Sequence, residues 1–449
     1  MARRRRIKLP PEPVECKITG FSHDGKGIAY IDDKTVFIDG ALMGETVRFT
    51  YTGKRKQVME GVVEEVLQAS PDRVEPKCEF FAICGGCSLQ HLSHDKQLVV
   101  KQQLLIDNLK RLGHVEAEEV LAPLTGPIWG YRRKARLGVR YVIKKQKLLV
   151  GFREKRSNFL TEMTSCQVLH PSVGLRLVKL GEVIFQLSCY MQIPQIEVAI
   201  GDDIASLVIR HLEPLTEEDK KLLSAFALQY NFNLYLQSAG PDSIELLSPV
   251  EEKLKALSYQ LPEYQVEHQF KVNDFTQVNM IINRQMINLA LSLLDLKAEH
   301  RVLDLFCGLG NFTLPLARNS AHVTGVEGSD ELVVRAKQNA LENSIDNADF
   351  YSSDLFINSG KKDFRASNWA KKKYDRILLD PARSGAKEIV EYLPYFGAKI
   401  VVYVSCNPAT LARDADIMVN QHGYKLVKTG IMDMFPHTAH VESIALFIK

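Results

Sequence analysis

The sequence predicts a multidomain chain with a small N-terminal β-barrel, a central α+β domain and a C-terminal α/β domain of the Rossmann-like kind. Its 449 residues correspond to about three domains of ~150 residues each. Short strand patterns separated by turns fill the first 70 residues, whereas strand and helix patterns alternate from Arg301 onward. The expected divisions are a basic tail over 1–11, the barrel over 12–70, the central domain over 71–265 and the α/β domain over 266–449.

The composition excludes several classes of protein. Apolar residues make up 45% and charged residues 25% of the chain, which is typical of a globular protein rather than a disordered one. No run approaches about 18 apolar residues, so we expect no membrane-spanning helix. The basic start has no apolar stretch before Pro10 and Pro11, so it does not predict a secretory signal. Eight cysteines are too few for a secreted disulfide scaffold, which predicts a reducing cytoplasm. We also expect a monomer.

The N-terminal strand patterns predict a small closed barrel of the type that binds oligonucleotides. Each pattern is short, and turn residues such as Asp24-Gly25 and Asp39-Gly40 lie between them. A barrel with only a scaffolding role is the alternative. The expected strands are Val14–Ile18, Gly27–Ile31, Lys34–Ile38, Glu45–Thr52 and Val58–Leu67.

Positive charge is concentrated in one segment of a nearly neutral chain. The formal net charge is +3, yet eleven Lys or Arg and one acid lie within residues 131–156. A second basic cluster lies within residues 3–8. In the longer segment, basic side chains alternate with Leu137 and Val139, which predicts a strand with one apolar and one cationic face. Such a row of charges favours contact with a nucleic acid over a merely solvated face. The candidate contacts are Arg132, Arg133, Arg136 and Arg140.

A cysteine-rich turn follows the barrel. Cys78, Cys84 and Cys87 form a C-x5-C-x2-C pattern, and Cys166 lies further along the chain. Three thiols so close together in a cytosolic chain predict a metal site. Four cysteines serve structural zinc as well as a [4Fe–4S] cluster, and spacing alone does not separate the two.

A helix is expected next, from about Asp95 to Leu112. Its apolar stripe consists of Leu98, Leu105, Leu109 and Leu112, and Gly113 is the expected stop.

The first strand of the α/β region, Val302–Phe306, runs into the glycine-containing loop Cys307–Asn311. Such a loop lets the backbone approach a ligand at the carboxyl edge of a sheet. A dinucleotide site requires a further glycine where Thr313 stands, and Asp304 places negative charge beside the loop. Glu327 ends the next strand, where a carboxylate can bind ribose hydroxyls. These features favour S-adenosylmethionine, which is cationic and has no phosphate, over a nucleotide phosphate site or a structural turn.

Two further strands are expected to end at the same edge. One ends just before Cys406, which places this cysteine at the sheet edge where a reacting group would lie, although buried free cysteines are commonly inert. The other ends in Asp380-Pro381-Ala382-Arg383, where enzymes that methylate exocyclic amines have Asn/Asp-Pro-Pro-aromatic. In the methylation of carbon 5 of uracil, a thiolate adds to carbon 6, and this addition makes carbon 5 nucleophilic. A base must then remove the carbon 5 proton.

The motifs spread over nearly the whole chain resemble those of the TRAM-domain RNA uracil-5-methyltransferases, and within that family the members that act on 23S rRNA. The resemblance implies a TRAM barrel and methylation of carbon 5 of a uridine by S-adenosylmethionine. The motifs that carry it are the cysteine array, Phe275-Thr276-Gln277-Val278-Asn279, Asp304-Leu305-Phe306-Cys307-Gly308, Leu379-Asp380-Pro381-Ala382-Arg383, Ser405-Cys406-Asn407-Pro408 and Met434-Phe435-Pro436-His437-Thr438-Ala439-His440-Val441-Glu442.

The resemblance also implies the roles of individual residues. Cys406 is the implied nucleophile, Glu442 the implied base for the carbon 5 proton, and Phe275 an aromatic neighbour of the target base. The implied cluster is [4Fe–4S], ligated by Cys78, Cys84, Cys87 and Cys166. Because methyl transfer is not a redox reaction, we expect the cluster to have a structural role near the basic strand. The implied contacts with S-adenosylmethionine are Gln277, Phe306, Asn311, Glu327, Asp354 and Asp380.

Two other functions are weighed against this hypothesis. The first is an RNA methyltransferase that modifies an amino group through Asp380-Pro381 without covalent catalysis. The second is a non-enzymatic RNA-binding or redox-sensing protein with a vestigial cofactor fold. A covalent adduct with 5-fluorouridine RNA that depends on Cys406 separates the first from the uracil-5 hypothesis, and methyl incorporation into rRNA separates the second.

Overall fold

A computed structural model describes residues 9–10, 12–55, 58–356 and 363–449. The chain forms two compact units. The predicted basic cluster at residues 3–8 lies outside the described residues, and the predicted domain boundaries at 70 and 265 stay predictions. The first unit contains Met1–Leu104 with Phe435–His440, and the second contains Leu105–Met434 with Val441–Lys449.

The first unit contains the predicted barrel as a six-stranded sheet. Its strands are β1 (Val14–Lys17), β2 (Gly20–Phe21), β3 (Gly27–Ile31), β4 (Lys34–Asp39), β5 (Thr46–Arg55) and β6 (Val58–Gln68). The strand order is β1-β5-β6-β4-β3-β2. The stretch from β1 to β2 closes the sheet, because β1 pairs with β5 and β2 pairs with β3. All five expected strands are confirmed, with small differences at their ends.

Apolar side chains that alternate along these strands fill the barrel. Ile38, Val47 and Phe49 are fully buried. Gly61 lies against Phe49, and a Cβ at that position would come within 2.4 Å of the ring, so the close strand contact requires glycine. The buried carboxylate of Glu45 accepts hydrogen bonds from the Arg73 guanidinium at 2.6 and 2.8 Å. This pair fixes the turn that follows the barrel.

The helix α1 (His94–Arg111) follows the cysteine turn, close to the predicted bounds. Leu105 and Leu109 are buried as predicted, but Leu112 is 53% exposed because the helix ends one residue earlier. The predicted stripe is therefore wrong at Leu112. The buried positions toward the start of the helix are polar, Gln97 and Lys101, and they lie four residues apart in line with the two leucines.

The second unit begins with a mixed sheet and its helices. The elements of this part are β7 (Glu119–Val120), β8 (Lys134–Val142), β9 (Lys147–Gly151), α2 (Pro171–Gly174), α3 (Leu177–Phe185), β10 (Gln195–Ile200), β11 (Ala205–Arg210), α4 (Glu217–Tyr230), β12 (Phe232–Gln237) and β13 (Ile244–Ser248). The strand order of the sheet is β13-β12-β11-β10-β8-β9. The predicted two-faced strand is confirmed in β8, where Leu137 and Val139 are buried while Arg136 and Arg140 are exposed.

The C-terminal part is the predicted α/β sheet, preceded by a hairpin. Its elements are β14 (Ser258–Leu261), β15 (Val266–Gln269), α5 (Met280–Leu294), β16 (Arg301–Leu305), α6 (Thr313–Ala317), β17 (His322–Glu327), α7 (Asp330–Glu342), β18 (Ala348–Ser352), β19 (Arg376–Leu379), α8 (Lys387–Phe396), β20 (Ile400–Ser405), α9 (Pro408–Asp416), β21 (Lys425–Met432) and β22 (Glu442–Ile448). None of the helices in the described ranges is long and apolar enough to cross a membrane.

The eight-stranded sheet has the order β18-β17-β16-β19-β20-β22-β21-β7. Strands β16 to β20 are parallel, as predicted. The last strand, β22, differs from a purely parallel sheet because it enters between β20 and β21 and runs antiparallel to both. This insertion brings the end of the chain to the carboxyl edge of β20.

Candidate active site

The glycine-containing loop follows β16 and lies at the carboxyl edge of the parallel strands. Gly308 and Gly310 have φ angles of +56° and +95°, which favour glycine. A Cβ at Gly308 would meet nothing within 4 Å, so open space lies above the loop. Glu327, at the end of β17, accepts hydrogen bonds from Gly308 N at 3.1 Å and from Ser329 N at 3.0 Å. The loop and the end of β17 are therefore one rigid unit beside an open space.

The far side of the loop is fixed by side chains of the preceding hairpin and helix. Asn311 Oδ1 accepts hydrogen bonds from Tyr259 Oη at 2.8 Å and from Asn283 Nδ2 at 3.0 Å, and Asn311 Nδ2 donates to Asn283 Oδ1 at 2.9 Å. His268 Nε2 lies 3.0 Å from Gly310 O. Burial lowers the pKa of His268 to about 4, so the ring is neutral and donates this hydrogen bond. Most of the Asn311 amide is thus engaged within the protein.

Two buried acids lie at the site and are only partly ionised near neutral pH. Burial raises the pKa of Asp304 to about 8, and burial raises that of Asp380 to about 7. Thr313 Oγ1 donates to Asp304 Oδ2 at 2.5 Å, while Asp304 Oδ1 has no hydrogen-bond partner among the described residues. An unpartnered, buried carboxylate oxygen is costly unless a donor or a cation satisfies it. The residues therefore fit a cationic ligand.

Cys406 and Glu442 lie opposite each other across two antiparallel strands. Ser405, the last residue of β20, pairs with Ser443 in β22. The next residue after Ser405 is Cys406, and the residue before Ser443 is Glu442, so the two side chains are cross-strand neighbours. Burial raises the pKa of Cys406 to about 11, and the nearby negative charges of Glu442 and Asp380 contribute. The structure thus brings a protonated thiol together with two carboxyl groups.

The loop after β19 lies on the other side of the thiol. The Arg383 guanidinium opposes the rise in the pKa of Cys406, which places its positive charge near the sulfur. Asn407 Nδ2 donates to Arg383 O at 3.1 Å and connects this loop to the turn that carries Cys406. Asp380, Arg383 and Cys406 therefore form one group at the ends of neighbouring strands, as their sequence positions predict.

The remaining predicted ligand-site residues lie on loops. Phe275 is 69% exposed, whereas Gln277 is partly buried. Lys134 Nζ donates to Asp274 O and Arg335 Nε lies 3.4 Å from Asp274 Oδ2, so the backbone beside Phe275 is fixed from two sides. The partly buried residues that complete the predicted set are Phe306, whose φ of +65° is unusual for a residue other than glycine, and Asp354, whose Oδ1 accepts from Phe356 N at 3.0 Å.

The four predicted RNA-contacting arginines differ in their surroundings. Arg136 and Arg140 are exposed on β8, and Arg136 lies 3.0 Å from Glu197. Arg133 is partly buried and forms an ion pair with Asp202 at 2.6 Å. Arg132 Nε donates to Lys134 O at 3.0 Å. Arg136 and Arg140 are thus exposed, although Arg136 also contacts Glu197, whereas Arg132 and Arg133 are partly buried and contact the protein itself.

Three of the four predicted metal ligands lie on one turn of the first unit. Gly86 N donates to Cys84 Sγ at 3.4 Å, a contact of the kind that sulfur ligands of iron clusters receive. Burial raises the pKa of Cys78, and the neighbouring Cys84 adds to the effect. Cys166 belongs to the second unit. In the described part of the chain, no group of three or more His, Cys, Asp or Glu is arranged to hold a metal ion.

Several residues that shape the site were not predicted. Tyr259, His268 and Asn283 fix the glycine loop, and Lys134 fixes the backbone beside Phe275. They come from the hairpin, a helix and the basic strand, and none stands in a motif. His268 lies in β15 between Glu267 and Gln269, so a polar residue there gives no signal of its own.

Comparison with known proteins identifies the family. The family model for tRNA (uracil-5-)-methyltransferase matches residues 210–449, and the TRAM domain model matches residues 12–52. The chain is 52% identical over 445 residues to "23S rRNA (uracil(1939)-C(5))-methyltransferase RlmD" of Methylococcus capsulatus, with 99% of both chains covered. It is 52% identical over 446 residues to the protein of the same name from Hahella chejuensis, again with 99% of both covered.

A solved structure shares the fold. It is the Pyrococcus abyssi tRNA (uracil-54, C5)-methyltransferase in complex with S-adenosyl-L-homocysteine, with a TM-score of 0.74 and 23% identity, and the match covers 97% of this chain and 100% of that one. Full-length identity above half, the family model and the TRAM domain agree with one another. The chain belongs to the uracil-5-methyltransferase family and has a TRAM domain in its N-terminal part.

Proposed function

We propose that this protein methylates carbon 5 of one uridine in 23S rRNA, with S-adenosylmethionine as the methyl donor. The names of the relatives at 52% identity support both the substrate and the reaction, and they number the uridine 1939. The observation that carries the chemistry is the pairing of Ser405 with Ser443, which makes Cys406 and Glu442 cross-strand neighbours.

In the proposed reaction, the Cys406 thiol first loses its proton to solvent, and the thiolate then adds to carbon 6 of the uridine while the electron pair of the carbon 5–carbon 6 double bond moves onto carbon 5. Carbon 5 then takes the methyl group from the sulfonium, which releases S-adenosylhomocysteine. Glu442 removes the proton from carbon 5, and the electron pair left behind restores the double bond as the Cys406 thiolate leaves.

The proposed donor site lies around the glycine loop. Asp304 and Asp380 supply negative charge for the sulfonium and ammonium groups, and Glu327 supplies acceptor oxygens for ribose hydroxyls. The Asn311 amide retains one N–H for a ligand, because its other groups contact Tyr259 and Asn283. The further proposed contacts are Gln277, Phe306 and Asp354.

The proposed RNA contacts separate into phosphate and base contacts. The exposed guanidinium groups of Arg136 and Arg140 suit phosphates, and the exposed ring of Phe275 suits stacking on an unpaired base. In this proposal Arg132 and Arg133 contact RNA only through those N–H groups that do not already bind the protein.

We also propose that Cys78, Cys84, Cys87 and Cys166 ligate a [4Fe–4S] cluster with a structural role. Three thiols on one turn and the Gly86 N–H directed at Cys84 Sγ support the proposal. When bound, the cluster would have no redox role, because methyl transfer is not a redox reaction.

Trapping with 5-fluorouridine tests the reaction. Fluorine at carbon 5 cannot leave as a proton, so the covalent complex with Cys406 should persist through denaturing electrophoresis. We expect an adduct that needs S-adenosylmethionine and disappears in Cys406→Ala. Methyl transfer to uridine RNA without such an adduct would favour the amino-group methyltransferase, and absence of methyl transfer to unmodified 23S rRNA would favour the non-enzymatic RNA-binding protein.

A further inference from the structure

The first half of α1 has a buried polar face that the proposed reaction does not use. Gln97 is 1% exposed and Lys101 is 2% exposed. Lysine is almost never fully buried unless its ammonium group has partners, because removing the charge from water is costly. The partners of these two side chains therefore indicate their role.

Both side chains contact the segment Phe435–His440, which belongs to the same compact unit. Lys101 Nζ donates to Phe435 O at 3.0 Å, and Gln97 Oε1 accepts from His437 N at 2.9 Å. Gln97 is itself fixed, because its Nε2 donates to Leu89 O at 3.0 Å and to Leu92 O at 2.8 Å.

The end of the cysteine turn contacts the same segment. Ser88 N and Leu89 N both donate to His437 O at 2.9 Å, and Ala439 N donates to Ser88 Oγ at 3.1 Å. His437 has a φ of +65°, a conformation that a residue other than glycine rarely adopts. Such a conformation persists only where the surroundings enforce it, and here hydrogen bonds with Ser88, Leu89, Gln97 and Lys101 do so.

The fixed segment leads directly into the strand that carries the proposed base. Only Val441 separates His440 from Glu442, the first residue of β22. The entry point of the chain into β22 therefore depends on the segment before it. We infer that Ser88, Gln97 and Lys101 are positioning residues that fix where the Glu442 carboxylate lies. The inference rests on the proposed function, in which Glu442 removes the carbon 5 proton.

A misplaced base has a specific consequence for the reaction. Cys406 addition and methyl transfer precede proton removal, so they need no correctly placed Glu442. Loss of a well-placed general base slows its step by about 100-fold or more. Lys101→Met and Gln97→Ala should therefore accumulate a covalent complex between the enzyme and methylated uridine RNA that survives denaturing electrophoresis, and its release should be slowed by about 10-fold or more.

The experiment follows complex formation and release on a uridine-containing 23S rRNA fragment with radiolabelled S-adenosylmethionine. Glu442→Gln is the reference for a lost base. Lys110→Met is the matched control, because Lys110 lies on the exposed face of the same helix and undergoes the same change. Lys101→Arg retains a donor and should release product faster than Lys101→Met. Ser88→Ala removes one hydroxyl and provides a milder variant should Lys101→Met fold poorly.

The outcomes are distinguishable. Accumulation in Lys101→Met, Gln97→Ala or Ser88→Ala, but not in Lys110→Met, supports the inference. Release at the Lys110→Met rate in all three, with accumulation in Glu442→Gln, overturns it and leaves the proposed function intact. Failure of Glu442→Gln to accumulate the complex overturns the proposed role of Glu442 and the inference with it.

Discussion

At the scale of the residue, Cys406 combines a reactive group with surroundings that keep it protonated. Burial and the charges of Glu442 and Asp380 raise its pKa to about 11. Below that pKa the thiolate fraction rises about tenfold per pH unit. We expect alkylation of Cys406 by iodoacetamide to accelerate about 100-fold between pH 7.5 and 9.5, as measured by mass spectrometry of the Cys406 peptide.

Glu442→Gln provides the comparison for this prediction. Removing the neighbouring negative charge should lower the pKa of Cys406 and speed its alkylation at pH 8 by about threefold to tenfold. Cys307, which is buried away from solvent, should react slowly in both proteins. An alkylation rate that is independent of pH, or slower in Glu442→Gln, would contradict the assigned surroundings.

The two acids of the proposed donor site give a second prediction. The pKa of Asp304 is raised to about 8 and that of Asp380 to about 7, so both groups are largely protonated at pH 6. A cationic ligand binds the ionised forms, so its affinity should rise as the pH passes through these values. We expect S-adenosylmethionine to bind about tenfold more tightly at pH 8.5 than at pH 6 by isothermal titration calorimetry.

S-adenosylhomocysteine is the matched ligand, because its sulfur is neutral. Its affinity should rise less over the same range, since only its ammonium group interacts with the carboxylates. Equal pH dependence for the two ligands would show that these acids do not recognise the sulfonium.

The residues of the site were predictable to different degrees. Cys406 and Asp380 follow buried strands directly, and parallel strands meet at one edge, so local sequence is enough to bring them together. Glu442 is the first residue of an antiparallel strand whose place in the sheet is not encoded locally, and only the family resemblance implied its role. The Asn311 contacts with Tyr259 and Asn283 link residues far apart in the chain, and no local pattern reports them.

At the scale of the element, Arg133, the residue just before β8, pairs within the protein, whereas Arg140 in β8 faces solvent. Arg133 and Arg284 both pair with Asp202, at 2.6 and 2.9 Å. Leaving a partly buried carboxylate short of a partner costs about 1–3 kcal/mol. We expect Arg133→Ala to lower the free energy of unfolding by about that amount in urea denaturation.

Arg140→Ala should behave differently, because Arg140 lies within β8 and is exposed. Its loss should leave the free energy of unfolding within about 0.5 kcal/mol. It should weaken RNA binding by about threefold to tenfold and lower the salt dependence of the binding constant by about one phosphate contact. Equal effects of the two substitutions on unfolding would contradict the distinction.

In helix α1, apolar periodicity predicts the helix but not all the residues on its buried face. The pattern of leucines predicted the helix and its length, and Leu105 and Leu109 are indeed buried. An apolar stripe cannot reveal that Gln97 and Lys101 occupy the same face, because polar residues at helical spacing ordinarily indicate solvent. Their burial depends on carbonyl and amide groups more than 300 residues away in the chain.

At the scale of the whole molecule, the sequence predicted the barrel and the parallel strands but not how the chain end is used. Strand β22 enters beside β20, and the segment before it belongs to the N-terminal unit. Strand order is set by packing over the entire domain, so sequence patterns within single strands do not report it. The consequence is that the chain passes from the first unit into the second directly before Glu442.

The contacts between the cysteine turn and the segment before β22 predict the effect of losing the proposed cluster. Cys87 immediately precedes Ser88, whose N–H and hydroxyl contact His437 and Ala439. The Asp304 and Glu327 side chains, by contrast, lie in the second unit, where their contacts are with the glycine loop and its neighbours. Cys84→Ser should therefore remove iron and acid-labile sulfide and slow release of the methylated RNA, while the affinity for S-adenosylmethionine changes by less than about twofold. Cys189→Ser, a buried cysteine outside the proposed ligand set, is the control and should retain the iron of the parent protein. Loss of S-adenosylmethionine binding together with the iron would mean that the cluster supports the whole fold rather than the segment before Glu442.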